Sequence, residues 1–136
     1  MAKESGLGWT TASRDDSGGS LRAIVNDVTN VDFTIPREVQ DITGMNKSSR
    51  ERLLLLGDYQ SNWTMVFNDA ACTSSFQVHK TVASADVTRS ESLVISGQTL
   101  NNEVLLTDMG MARGADGSLI ITGPAVLQSG TDPTWS

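Results

Sequence analysis

At 136 residues the chain is long enough for one domain and short of two, and its 38% hydrophobic content allows a single but lean core. A net charge of −6, with ten scattered basic residues, argues against tight DNA or RNA binding, which draws most of its affinity from phosphate contacts. A single cysteine, Cys72, excludes an intrachain disulfide framework and fits a reducing cytoplasm. The longest apolar run, Leu53-Leu54-Leu55-Leu56, is far too short for a membrane span, and Met1 to Ser5 holds no signal-like apolar stretch. Cytoplasmic synthesis and no membrane partner are therefore expected, with the sequons at Asn46 and Asn62 as chance matches.

Residues 1–20 are polar and rich in Gly and Ser, broken by Leu7 and Trp9 and closing on Asp15-Asp16-Ser17-Gly18-Gly19. They read as an extended N-terminal arm, with residues 21–136 as a single β domain. Leu21 to Val25 is a short apolar-rich run. Val28 to Thr43 alternates at Val31, Phe33 and Ile35, with Pro36 marking an edge or strand end. Residues 44–52 form a long charged loop. The cleanest strand follows, with Tyr59, Ser61, Trp63, Met65 and Phe67 on one face.

A helix is predicted from Asp69 to Val82, capped by Asn68-Asp69, with Phe76 four residues after Cys72 and Val82 four after Val78. Its Ser and Thr content makes it weak on propensity, so packing has to hold it. Further strands are predicted over Val87 to Ser96, Glu103 to Arg113 and Ser118 to Thr122, with a hairpin turn at Gly114-Ala115-Asp116-Gly117. Gly123-Pro124 is expected to interrupt before Ala125 to Leu127, and Ser129 to Ser136 is a polar tail holding Trp135. Mainly β with one flanking helix is the architecture, closed as a sandwich or barrel.

The sequence offers little chemistry. No nucleophile elbow is present, and the single histidine, His79, is expected at the surface or its boundary. Cys72 and His79 lie about two helical turns apart, but a zinc site needs more soft ligands than one of each. Gly6-Leu7-Gly8 lacks the rest of a phosphate loop. The cluster Lys47, Arg50 and Arg52, interrupted by Glu51, suits a protein–protein rim or a solvated loop. No catalytic residue, metal or cofactor is expected.

One resemblance gives the chain a role. The run Asp41-Ile42-Thr43-Gly44-Met45-Asn46-Lys47-Ser48-Ser49-Arg50-Glu51-Arg52, continuing through Leu56, resembles a segment of the tail tube proteins of long-tailed, non-contractile bacteriophages. The likeness continues in order through Phe67-Asn68-Asp69-Ala70, Ser74-Ser75-Phe76, Lys80-Thr81-Val82, Ser96 to Leu100 and Asn102 to Leu105. It closes with Pro124 to Leu127, Gly130-Thr131 and Pro133-Thr134-Trp135, and so spans roughly residues 20–136. The chain departs from that pattern at Met109, where an aromatic is usual, and at Gly123 and Asp132, where a hydrophobic residue is usual. Ile120-Ile121 stands where a polar–aromatic pair is common.

The resemblance implies a β-sandwich subunit whose copies close into hexameric rings and stack into a hollow tube in the virion tail. Double-stranded DNA would pass through without specific binding, eased by an acidic lining. It also implies tail initiator or tip, length-setting and terminator proteins as partners. Leu7, Trp9, Gly44, Met45, Asn46, Lys47, Arg50, Glu51, Arg52, Pro133 and Trp135 are the expected inter-subunit contacts, with Trp9 and Trp135 as anchors. A tail terminator, a head decoration protein or another ring-forming virion protein is the alternative. A small enzyme would need a concave site with perturbed titratable groups. A ligand-binding β domain would be monomeric.

Overall fold

The alternation predicted around Trp63 is where the fold is anchored. In the computed structural model, which describes residues 3, 5–71 and 73–136, Ser61, Trp63 and Met65 all point into the core from one strand. Cys72 lies outside the described residues, and with it the Cys72–His79 pairing considered above.

Ten strands and one short helix follow in order: β1 (Trp9–Asp15), β2 (Leu21–Ala23), β3 (Val28–Thr34), β4 (Arg37–Asp41), β5 (Arg52–Gly57), β6 (Gln60–Val66), α1 (Ser75–His79), β7 (Arg89–Ile95), β8 (Gln98–Leu106), β9 (Gly110–Arg113) and β10 (Leu119–Leu127). The main sheet is antiparallel in the order β2-β1-β7-β8-β10-β6-β3, with β9 also paired to β10. Its end strands, β2 and β3, are consecutive in the chain and joined by residues 24–27. The Ile24 amide donates to Ala12 and the Val66 amide to the Asp27 carbonyl, so that joint is tied to both flanks. The sheet thereby curls on itself around two apolar clusters. Ala12, Ile24, Trp63, Met65, Val78, Leu93 and Ile121 form one, and Tyr59, Leu100, Val104 and Ala125 the other, with Phe33 packed against both. The mainly β, sandwich-like architecture with one helix is as the sequence indicated.

Several elements differ in detail, each for a physical reason. Trp9–Asp15, read as part of an arm, is a full strand between β2 and β7. Its Ser13, Arg14 and Asp15 are buried among partners instead of solvated. The run predicted from Val28 to Thr43 divides at Ile35-Pro36, the strand end that Pro36 was expected to mark, because proline cannot donate to a ladder. The remainder pairs with Leu53–Leu56 as a separate two-stranded ribbon, β4–β5. Phe67 and Val87 fall just outside their strands and are partly exposed.

The helix shrinks to five residues. Asn68 does not cap it: its Oδ1 accepts from the Ala70 amide in a local turn, and Ser74 caps instead, accepting from Gln77. Short polar side chains that bond nearby backbone compete with helix in this way. Gly123-Pro124 does not interrupt β10. Along β10, pairing with β9 stops at Thr122 and pairing with β8 starts at Ala125, so the proline falls at the junction, where the ladder on that side changes partner. The hairpin turn at Gly114–Gly117 forms as predicted, with Gly117 at φ 92°.

Candidate assembly surface

The ribbon is the least conventional feature of the fold. Neither of its strands packs substantially on any other element. Its tip, residues 42–51, is held by its own polar groups. The Ile42 amide donates to Glu51, the Lys47 amide to Gly44 and the Glu51 amide to Thr43 Oγ1. Arg50 pairs with Asp41, and Lys47 with Glu51 at 3.2 Å. The Thr43 hydroxyl and amide, with Arg50, hold the Asp41 carboxyl below the usual range.

The apolar side chains of the ribbon have no such arrangement. Leu54 is 60% exposed, Leu56 81% and Met45 fully so, with Val39, Ile42 and Leu53 about half exposed. An isolated two-stranded hairpin is marginal in water, and one that shows this much apolar surface calls for a cover.

The expected contact residues fall into two groups. Gly44, Met45, Asn46, Lys47, Arg50 and Glu51 make the ribbon tip, and Arg52 opens β5. Trp9 and Trp135, at opposite ends of the sequence, both pack on Phe33 of β3, the strand that leads into the ribbon. Each ring centroid lies 6.0 Å from that of Phe33. Pro133, close to Trp135 in sequence, is half-buried, and Leu7 stands exposed on a 3-10 turn just before β1. The structure thus joins the two tryptophans through Phe33 and separates them from the tip by the length of the ribbon. The leucines of β5 and Val39 of β4 were not among the expected contacts. Their signal was the four-leucine run, which does not alternate and so gives no buried face.

The second unusual feature lies inside. Arg14, fully buried on β1, reaches four other elements. Its Nε donates to Glu91 on β7 at 2.8 Å, with Nη2 2.7 Å from the same carboxylate. Nη1 donates to the Gly123 carbonyl on β10 at 2.9 Å, and Nη2 to Ser61 on β6 at 3.3 Å. Its guanidinium carbon sits 3.9 Å above the Trp63 ring, a cation–π contact. Tyr59 and Ser61 donate to Glu91, completing the carboxylate's shell. Burial lowers the Arg14 pKa and raises that of the Tyr59 phenol.

His79 is also in this cluster, fully buried and not at the surface as expected. Its Nδ1 lies 2.8 Å from the Ser75 carbonyl, which can only accept, so Nδ1 carries the proton. Nε2 then accepts from Arg14 Nη1 at 3.0 Å. Burial first, then the Arg14 guanidinium, pushes its pKa down to about 3. The imidazole therefore stays neutral. Gly123 is the residue that admits this pair: a Cβ there would lie 2.7 Å from Arg14 Nη1 and 2.9 Å from His79 Nε2. Its departure from the usual hydrophobic residue follows directly.

Arg89, also buried, donates to the Val78 and Asp15 carbonyls and to Thr81 Oγ1, tying the end of α1 to β1. Of the other departures, Ile121 is a core residue and Met109 packs against the same cluster. Tyrosine, serine, histidine and carboxylate thus stand together, but they are buried and committed to one another. Among the described residues no group of His, Cys, Asp and Glu is placed to hold a metal, and no helix is long and apolar enough to cross a membrane.

The fold and its ribbon define a β-sandwich domain with an apolar two-stranded arm that is exposed among the described residues. No protein-family model and no curated protein matches the sequence. Solved structures share the fold. A chain of the tail of an empty gene transfer agent particle, determined with helical refinement and C6 symmetry, has a TM-score of 0.78 at 13% identity over 98% of this chain and 99% of that one. A chain of the virion of the native gene transfer agent particle gives 0.75 at 12% identity, over 98% and 99%. A chain of the six-fold symmetrised baseplate of the anti-feeding prophage gives 0.66 at 12% identity, over 100% and 97%. At such identities the likeness establishes the fold.

Proposed function

We propose that this chain is the structural subunit of a virion tail tube. Its copies close into rings of six, and the rings stack into a hollow tube through which double-stranded DNA passes without specific binding. The observation that carries the reading is the apolar ribbon. It is folded, yet most of its apolar side chains stay half or more exposed among the described residues, and a head-to-tail stack supplies a different surface on the next copy to receive it. The sharing of fold with a C6-symmetric, helically refined tail supports ring closure and stacking. The net charge of −6 favours a channel that repels phosphate over one that grips it.

In this reading the chain does no catalysis, resides in the virion tail after synthesis in the host cytoplasm, and meets initiator, length-setting and terminator proteins at the tube ends. Leu7, Trp9, Pro133 and Trp135, together with Gly44, Met45, Asn46, Lys47, Arg50, Glu51 and Arg52 of the ribbon, are the contacts it assigns. The likeness to a baseplate chain supports a second reading, a terminal ring that does not polymerise.

Negative-stain electron microscopy across a concentration series separates the two. Tubes with a regular axial repeat are expected, and single rings at every concentration would favour the terminal reading. Leu54→Asp with Leu56→Asp should abolish tubes and leave the subunit folded. Each buried leucine contributes about 2 kcal/mol, so the assembly threshold rises by at least about a hundredfold. Tubes from the double variant at the wild-type concentration would refute the ribbon's role.

A further inference from the structure

The C-terminal residues do not trail away from the barrel. After β10, the Gln128 amide donates to Glu103, and the chain then crosses to the exposed edge of β8. There Trp135 bridges Leu100, and Thr99 and Ser136 exchange two hydrogen bonds at 2.9 Å. Trp135 is still 44% exposed, lying against Phe33. Between these fixed points, Asp132 meets the root of the ribbon. A Cβ on Gly57 would stand 2.7 Å from Asp132 Oδ1, with Arg37 Cδ 3.8 Å away on the same glycine.

Gly57 is the last residue of β5 and pairs with Arg37, the first of β4, at a register shift. Arg37 folds back to donate to the Leu55 carbonyl. The ribbon leaves the barrel through two chain crossings, residues 34–37 and 57–59, and the Asp58 amide donates to the Pro36 carbonyl between them. Asp132 reaches this root from the C-terminal segment, and its carboxylate occupies the space that a side chain on residue 57 would fill.

We propose that the C-terminal segment 129–136 is a latch that sets the ribbon's direction before assembly, through the contact of Asp132 with Gly57. The bridge to β8 and the Trp135–Phe33 stack anchor the latch, and Asp132 is its working end. Stacking depends on the ribbon reaching the next ring at a fixed angle, so the latch pre-organises the assembling arm and lowers the ordering cost of each addition. That consequence rests on the tube reading; the latch itself does not.

The test is hydrogen exchange by mass spectrometry on the full-length subunit kept dilute and unassembled. Asp132→Ala and Trp135→Ala should each speed exchange across residues 37–57 by about tenfold, with β6, β7 and β10 unchanged. Gly57→Ala should do the same by pushing Asp132 off the ribbon's root. Unchanged ribbon exchange in Asp132→Ala would overturn the latch, as would an equal acceleration throughout the barrel. If Gly57→Ala does not fold, Asp132→Ala decides alone. Failure of the wild-type chain to form rings or tubes in the microscope would remove the tube reading and leave the exchange result standing.

Discussion

Acid should destabilise this subunit through His79 over a defined range of pH. In the folded chain its pKa lies at about 3, while an unfolded histidine titrates near its ordinary value of about 6.5. The folded pKa is the lower one, so the unfolded chain takes up the proton first. His79 therefore contributes its full stability above about pH 6.5 and loses it as pH falls from there towards 3. Each unit costs about 1.4 kcal/mol, so the step from pH 6.5 to 4.5 removes about 2.7 kcal/mol. At a slope on the order of 2 kcal/mol per molar urea, the unfolding midpoint moves by about 1.4 M. The assay is urea unfolding followed by fluorescence of the buried Trp63 at four pH values between 7.5 and 4.5, for the wild type and for His79→Gln. The variant starts less stable, but its midpoint should fall less steeply by the contribution of one proton. Equal slopes for the two proteins would refute the assignment of a neutral, proton-excluding imidazole, and so would an NMR titration that places His79 near pH 6.5.

Two further outcomes probe the same cluster. Gly123→Ala places a methyl within contact distance of both Arg14 and His79 and should cost about 3 kcal/mol in urea unfolding. A loss under about 1 kcal/mol would mean that the pair can step aside. Arg14→Met leaves Glu91 buried with no counter-charge and should cost about 3–5 kcal/mol, while adding Glu91→Leu should recover most of that loss. Additive costs in the double variant would show that the two side chains do not act as a unit.

How much of this was legible in the sequence depended on whether side chains alternate. Ser61, Trp63 and Met65 do, and their strand was placed with its face; so was the turn at Gly114 to Gly117, where glycine chemistry dictates the hairpin. Arg14, Glu91 and His79 were not legible. A charged side chain reads as solvent-facing, and only the arrival of partners from residues 61, 79, 91 and 123 makes its burial tolerable. The same blindness hid β1, since Ser13, Arg14 and Asp15 resemble a solvated arm until their partners are known. The four leucines of β5 carried no alternation from which a face could be read, and three of them are half or more exposed. The loop and both tryptophans were singled out as candidate contacts beside the resemblance, but the packing of both tryptophans on Phe33 is a product of topology, which spacing in the chain does not encode.

The reach of Arg14 also sets a timetable. Its partners lie 47, 65, 77 and 109 residues further along the chain, so a growing polypeptide cannot finish this core until β10 has emerged. Contacts of such long sequence separation make folding slow and all-or-none. Until that moment the leucines of the ribbon and the edge strands are exposed together, when the chain is most open to aggregation. Completion of the core around the guanidinium is then what separates a chain open to aggregation from a folded one.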